Sequence, residues 1–238
     1  MQSMRIRIGI VIILLILCFA GYGQDQIDIE TYADFQKYRK ANMELINQSE
    51  NKRLVVFMGN SITEGWGEIR PTFFNDNNYI NRGISGQVTH QMLLRFRADV
   101  IDLKPSAVVI LAGTNDIAQN SGFVAIDDVA DNIFSMAELA DHHGIKVIIS
   151  SILPALDYPW RPGIDPAPKI KRLNELLQGY AAENDFYYLD YYSVLVDNNG
   201  GLKVPDFTSA NDLVHPNKKA YLVMEDLVQV AINSVLNQ

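Results

Sequence analysis

Residues 53–66 read Arg53-Leu-Val-Val-Phe-Met-Gly-Asn-Ser-Ile-Thr-Glu-Gly-Trp66, and their character changes after Met58. Leu54 to Met58 is a continuous apolar run rich in β-branched residues, which is typical of a strand buried on both faces of a parallel sheet. Gly59 lets the backbone turn sharply at the end of this strand. Ligands of open α/β sheets bind beyond the carboxyl ends of the strands. Ser61 is therefore the first reactive side chain at a place where function is expected.

A serine after a strand is weak evidence by itself, because Ser and Asn are also common at turns and helix caps. Three further segments follow in order: Asn81-Arg-Gly-Ile-Ser-Gly86, Gly113-Thr-Asn-Asp116 and Asp212-Leu-Val-His-Pro216. Together with Gly-Asn-Ser-Ile at residues 59–62, they resemble the sequence blocks of the SGNH hydrolases, also called the GDSL family of esterases and lipases. The chain departs from the family pattern at Asn60, where Asp is most frequent. We expect this change to affect hydrogen bonding in the loop more than chemistry.

The composition limits the possible partners of the protein. The chain has 238 residues, of which 48% are hydrophobic and 20% charged, and its net charge is −8. This length suits one sizeable α/β domain, which we predict over residues 24–238. A nucleic-acid-binding protein would show a basic face, and an acidic surface does not favour binding to anionic membranes. The sequence does not indicate an oligomeric state.

The amino terminus has the pattern of an export signal. Met1 to Gly23 begins with a basic segment, continues with an uncharged and mostly aliphatic run from Ile8 to Ala20, and ends in small residues. This pattern predicts a cleaved signal peptide over residues 1–23 and a secreted or periplasmic protein without stable membrane association. The alternative is a retained anchor or a lipid on Cys18, although Leu17 stands where a lipoprotein signal carries a small residue. Cleavage would remove the only cysteine and with it any thiol or disulfide chemistry.

Apolar runs and helical periodicity alternate along the rest of the chain. They predict strands at 54–58, 79–81, 107–111, 145–150 and 186–189, and helices at 29–47, 89–100, 126–143, 170–180 and 217–235. The first helix should pack its apolar face on the sheet. Such alternation requires an α/β fold in which helices cover both faces of a parallel sheet, a three-layer sandwich. The family resemblance implies a flavodoxin-like, five-stranded sheet of order 2-1-3-4-5.

The four blocks contain the groups that ester hydrolysis needs. Ser61 offers a nucleophilic hydroxyl, His215 is the best base among the four histidines, and Asp212 stands where it can orient the imidazole. Taken alone, Asp212 and His215 could also be a helix cap and a loop histidine. The resemblance implies that the oxyanion is bound by the Ser61 N–H, the Gly86 N–H and the Asn115 side chain. Spacing favours Gly86 over Gly83, and both remain open.

Several other residues have both a structural and a functional interpretation. Asp116 is predicted to be a helix cap or a loop stabiliser rather than a catalyst. Trp66 either packs in the core or lines an apolar pocket. The proline-rich loop from Leu153 to Pro168 is long enough to be a binding element, and Tyr158 and Trp160 within it either stack on a sugar ring or pack under the loop.

The histidine pair at residues 142 and 143 ends a predicted helix. The helix dipole would stabilise a protonated imidazole at this position. A metal site there is the alternative, but no cluster of Asp, Glu or Cys accompanies the pair at ligand spacing. The family resemblance implies catalysis without metal or cofactor.

These observations predict a secreted serine esterase that hydrolyses short acyl esters, foremost acetyl groups on carbohydrates, through an acyl-serine intermediate. One alternative is a lysophospholipase or thioesterase that acts on longer acyl chains. The other is a non-catalytic, ligand-binding module on a flavodoxin-like sheet. The Ser61 loop has neither of the glycine spacings that cradle phosphates, which argues against the second alternative.

Overall fold

The computed structural model describes residues 28–47 and 54–237. The predicted signal peptide, Met1 to Gly23, lies outside these described residues. Within them, every helix is too short or too polar to cross a membrane.

Five parallel strands form a single sheet of order β2-β1-β3-β4-β5, which confirms the predicted α/β fold and strand order. The strands are β1 (Val55–Gly59), β2 (Tyr79–Gly83), β3 (Ala107–Leu111), β4 (Lys146–Ser150) and β5 (Tyr187–Leu189). In the register of the sheet, Gly59 at the end of β1 pairs with both Gly83 and Leu111. The carboxyl ends of β1, β2 and β3 therefore finish level, and the segments that follow them meet at one edge.

Helices cover both faces of the sheet because the central strands are apolar on both sides. Val56 and Met58 of β1 belong to one buried apolar cluster, while Val55 and Phe57 belong to a second cluster on the opposite face. This alternation follows from the two-residue period of a strand. The helices are α1 (Ile29–Ala33), α2 (Gln36–Asn47), α3 (Ser61–Ile69), α4 (Pro71–Asn77), α5 (Thr89–Asp99), α6 (Thr114–Ile117), α7 (Ile126–His142), α8 (Pro166–Glu183), α9 (Tyr192–Leu195) and α10 (Lys218–Leu236). Helices α5, α7 and α8 contribute to the first cluster, and α3, α4 and α10 contribute to the second.

The predicted helix at 29–47 was wrong in two respects. It is broken into α1 and α2 at Asp34, which has a left-handed backbone with φ of 52°. Three of its predicted core residues are half exposed or more: Ile29 at 50%, Met43 at 59% and Ile46 at 55%. Leu45 packs against the core, and polar groups supply further contacts for the segment. Asn42 is buried, accepts hydrogen bonds from Arg82 and donates one to Asp99 at 2.6 Å.

Candidate active site

Ser61 is the first residue of α3, which starts immediately after β1, so the predicted loop around it is in fact a helix. The Asn60 side chain caps this helix by accepting the Ile62 N–H at 3.0 Å. Asparagine is a strong helix-capping residue, which explains why it serves here in place of Asp. The strand, the tight turn and the cap together fix Ser61 at the carboxyl edge of the sheet.

The structure brings Ser61, His215 and Asp212 into one hydrogen-bonded chain. Ser61 Oγ lies 2.9 Å from His215 Nε2, and His215 Nδ1 lies 2.8 and 3.1 Å from the two carboxylate oxygens of Asp212. A proton on Nδ1 is donated to Asp212, which leaves Nε2 free to accept the Ser61 hydroxyl proton. This is the arrangement in which a serine hydroxyl is activated as a nucleophile.

The turn that begins at Asp212 holds its carboxylate in position for the hydrogen bond to His215 Nδ1. Its Oδ1 also accepts the backbone N–H groups of Val214 at 3.2 Å and His215 at 2.8 Å. Leu213 within the turn has a left-handed backbone, with φ of 66°. Partial burial raises the pKa of Asp212, but the hydrogen bonds from His215 and Val214 outweigh it and hold the pKa below its ordinary value. Asp212 is therefore a stably ionised partner for the imidazole.

Three residues that line the cleft around Ser61 offer hydrogen-bond donors to a ligand. The Ser61 and Gly86 N–H groups have no acceptor among residues 28–47 and 54–237. Asn115 is 3% exposed and donates one amide hydrogen to the Gln87 carbonyl at 3.0 Å, which leaves its second hydrogen for a ligand. These groups lie in a cleft of about 370 Å³ lined by Ser61, Ser85, Gly86, Asn115, Asn120, Trp160 and His215. Such a set of donors matches what a tetrahedral oxyanion requires.

The two candidate glycines occupy different environments. A Cβ on Gly83 would lie 2.2 Å from the Glu64 nitrogen, so this glycine lets β2 pack closely against α3. Gly86 has a φ of 78°, and a Cβ there would meet nothing within 4 Å. Of the two residues, it is Gly86 that lines the cleft.

Asp116 lies beside this cleft but is engaged elsewhere. Its carboxylate accepts the Thr89 N–H at 3.0 and 3.1 Å and the Thr89 hydroxyl at 2.6 Å, at the start of α5. Burial raises the pKa of Asp116, and the bonds from Thr89 act against this rise. The geometry agrees with the predicted capping role.

The three aromatic residues considered for substrate binding differ in position. Trp66 is 1% exposed, stacks on Tyr221 and donates its indole N–H to Glu225, so the prediction that it could line the pocket was wrong. Tyr158 is fully buried and its hydroxyl contacts that of Thr114, which removes it from direct substrate contact as well. Trp160 alone reaches the cleft. It is 45% exposed, and its ring centroid lies 6.3 Å from that of His215.

Two further cleft residues, Ser85 and Asn120, were missed by the sequence analysis. Asn120 accepts the indole N–H of Trp160 at 3.0 Å and thereby fixes the ring beside the cleft. The spacing of the blocks gave no signal for this contact, because the two residues come from separate loops. The histidine pair at the end of α7 lies away from the cleft, and His143 contacts the Leu139 carbonyl at 2.8 Å. Within the described ranges, no cluster of His, Cys, Asp and Glu could hold a metal ion.

Comparisons with known proteins identify the family. Residues 57–223, more than half of the chain, match the GDSL-like Lipase/Acylhydrolase family. A candidate acylhydrolase of Bacteroides fragilis is 50% identical, with a TM-score of 0.82 over 86% of this chain and 98% of its own. A GDSL-like lipase of Bacteroides thetaiotaomicron is 47% identical, with a TM-score of 0.81 over 85% and 98%.

A curated relative, the uncharacterised lipoprotein YqeF of Bacillus subtilis, is 28% identical over 142 residues, or 58% of this chain. The match spans 50% of the length of that relative. The family match and the two Bacteroides structures agree with the four sequence blocks and with the observed sheet order. The chain belongs to the GDSL-like lipase/acylhydrolase family, a family of carboxylic ester hydrolases.

Proposed function

We propose that this acylhydrolase cleaves short acyl esters, foremost acetyl esters of saccharides, through an acyl-Ser61 intermediate. The observation that carries the proposal is the lining of the cleft. Of its seven lining residues, Trp160 is the only large apolar one, and the others are small or polar. A long acyl chain would require an extended apolar surface, because each buried CH₂ group contributes about 0.8 kcal/mol to binding. This cleft has little such surface to offer.

The chemistry follows from the contacts at Ser61. His215 Nε2 takes the hydroxyl proton as Ser61 Oγ attacks the ester carbonyl, and Asp212 stabilises the imidazolium that forms. The carbonyl oxygen becomes an oxyanion that accepts hydrogen bonds from the Ser61 N–H, the Gly86 N–H and Asn115. His215 then returns the proton to the leaving alcohol. A water molecule, deprotonated by the same imidazole, releases the acid and restores Ser61.

Trp160 supports a saccharide as the alcohol half of the ester. Its indole is half exposed at the edge of the cleft and held in place by Asn120. A fixed aromatic face with a polar edge suits contact with a sugar ring, which has apolar C–H groups on its faces. The longer-chain alternative would instead place an acyl chain along this ring.

We also propose that the protein acts outside the cytoplasm. The export pattern of residues 1–23 supports this location, and so does the likeness to a protein described as a lipoprotein. That likeness gives added weight to a lipid on Cys18 as the alternative to signal cleavage. The intact mass of the protein purified from its native membrane and soluble fractions distinguishes a cleaved chain from a lipid-modified one.

The substrate is tested with nitrophenyl esters of increasing chain length and with acetylated oligosaccharides. We expect kcat/KM to be highest for acetyl and to fall beyond butyryl. The variant Trp160→Ala should raise KM for acetylated oligosaccharides about 2- to 12-fold, since a lost stacking contact costs about 0.5–1.5 kcal/mol. Its kinetics on nitrophenyl acetate should change little. A steady rise of kcat/KM from acetyl to decanoyl would show that the cleft is built for lipid.

A further inference from the structure

One charged residue connects the helix of Ser61 to the turn that contains Gly86. Glu64 lies on α3, three residues after Ser61, and is partly buried. Its Oε2 accepts the backbone N–H of Ser85 at 2.7 Å and also the Ser85 hydroxyl. Its Oε1 forms an ion pair with Lys37 of α2. Three separate parts of the chain therefore meet at a single carboxylate.

We propose that Glu64 is a positioning residue for the oxyanion site: it holds the Ser85–Gly86 turn against α3, so that the Gly86 N–H and the Ser61 N–H converge on the same oxygen. This inference rests on the proposed function, in which both N–H groups stabilise the oxyanion. Glu64 does not contact the substrate in this account. It acts through the backbone of Ser85, the residue that immediately precedes the oxyanion donor.

The other hydrogen bonds near the turn hold mainly its buried ends: Ile84 donates to the Gly59 carbonyl at 3.1 Å, and Gln87 closes the turn by donating to the Ile84 carbonyl at 3.3 Å. Ser85 and Gly86 are exposed, whereas Ile84 and Gln87 on either side of them are buried. Gly86 has a left-handed φ of 78° and no neighbour at its Cβ position within 4 Å. The contact from the Asn120 amide to the Gly86 carbonyl is long, at 3.4 Å. The bonds to Glu64 are charge-assisted, and such bonds are shorter and stronger than neutral ones.

Lys37 holds the Glu64 carboxylate in the position from which it binds the Ser85–Gly86 turn. Partial burial raises the pKa of Glu64, but the hydrogen bonds from Lys37 and Ser85 outweigh it and hold the pKa below its ordinary value. Lys37 lies in α2, outside the residues 57–223 that match the family. The amino-terminal helices of this chain thereby contribute to the geometry of a site that is otherwise formed by the family blocks.

The test compares Glu64→Ala with Glu68→Ala, a matched control on the exposed side of the same helix. With nitrophenyl acetate, we expect Glu64→Ala to lower kcat about 10- to 100-fold with KM changed less than about twofold, because a misplaced donor weakens only the transition state. Glu64→Gln should recover part of the loss, since its amide oxygen can still accept the Ser85 N–H. Lys37→Met should lose less than Glu64→Ala. Glu68→Ala should match the wild type.

A readout specific to positioning is the affinity for a boronic acid, which forms a tetrahedral adduct on serine. Across the Glu64 variants, the affinity for the boronic acid should weaken in proportion to kcat/KM. If Glu64 had a purely structural role, its variants would have a lower melting temperature, but their folded fraction would bind the boronic acid as tightly as the wild type. The inference is overturned if Glu64→Ala, or Glu64→Gln should the alanine variant not fold, equals Glu68→Ala in kcat. Failure of the proposed function is distinguishable, because the wild type would then hydrolyse no ester or Ser61→Ala would retain full activity.

Discussion

Asn115→Ala removes a side chain that makes one hydrogen bond in the structure and has a second task in the proposed mechanism. One amide hydrogen is bonded to the buried Gln87 carbonyl at 3.0 Å. In the proposed mechanism, the other hydrogen is donated to the oxyanion. The residue is 3% exposed, so water does not readily replace either bond. The two tasks predict two effects of different kind, one on stability and one on catalysis.

The magnitudes follow from these contacts. Leaving the Gln87 carbonyl without its partner should lower the free energy of unfolding by about 1–3 kcal/mol, the usual cost of a buried unsatisfied group. Losing an oxyanion donor should lower kcat by about 10²- to 10³-fold, or about 2.7–4 kcal/mol of transition-state stabilisation. KM should change little, because the neutral ester carbonyl gains far less from this donor than the oxyanion does.

Urea unfolding measures the first effect, and steady-state kinetics on nitrophenyl acetate measure the second. Asn120→Ala serves as a comparison in the same cleft, because the Asn120 oxygen accepts the Trp160 N–H and its NH2 group contacts the Gly86 carbonyl at 3.4 Å, so neither end is directed at the oxyanion. Asn120→Ala should lower kcat by less than about tenfold, which is below the range expected for the loss of an oxyanion donor. A change in KM alone for Asn115→Ala would place this residue in substrate binding. Lower stability with unchanged kcat would leave it a structural role only.

Two further results are expected. Ser61→Ala and His215→Ala should each lower kcat by about three or more orders of magnitude, and the double variant should be no worse than the poorer single one, because the two residues act as a unit. Urea unfolding should show that Gly83→Ala lowers the free energy of unfolding by about 3 kcal/mol, because the new Cβ would lie 2.2 Å from the Glu64 nitrogen. Gly86→Ala should lower it by about 1–2 kcal/mol, because only the left-handed φ of Gly86 is unfavourable for alanine. The opposite order would contradict the roles assigned to the two glycines.

The strands were predictable because each central strand is an uninterrupted apolar run. Ala107–Leu111 agrees with its prediction at both ends, and β1 is shifted by one residue at each end. Strand order depended on the family resemblance, since parallel strands that are buried on both faces contain no local signal for their neighbours. Helix α3 was missed because Ser61, Gly65 and Gly67 make its first two turns resemble a loop, while its stability comes from the Asn60 cap and from packing.

The site was predictable as a set of residues but not as a geometry. The family resemblance pointed to Ser61, Asn115 and His215, because each lies within one of the four sequence blocks. The burial of Trp66 and Tyr158 depends on contacts with distant segments and is invisible to local pattern. The ion pair between Glu64 and Lys37 is equally invisible to local pattern, because the two residues lie 27 positions apart. In the sequence, each looks like an ordinary surface charge.

The most direct test of the account is covalent labelling of Ser61. A fluorophosphonate reacts with a serine only where a base and an oxyanion site activate it. Incubation of the wild type should add one phosphonyl group, and peptide mass spectrometry should place it on Ser61, with labelling abolished in Ser61→Ala and strongly slowed in His215→Ala. A catalytically active protein that stays unlabelled, or that is labelled at another serine, would contradict the assignment of Ser61 as the nucleophile.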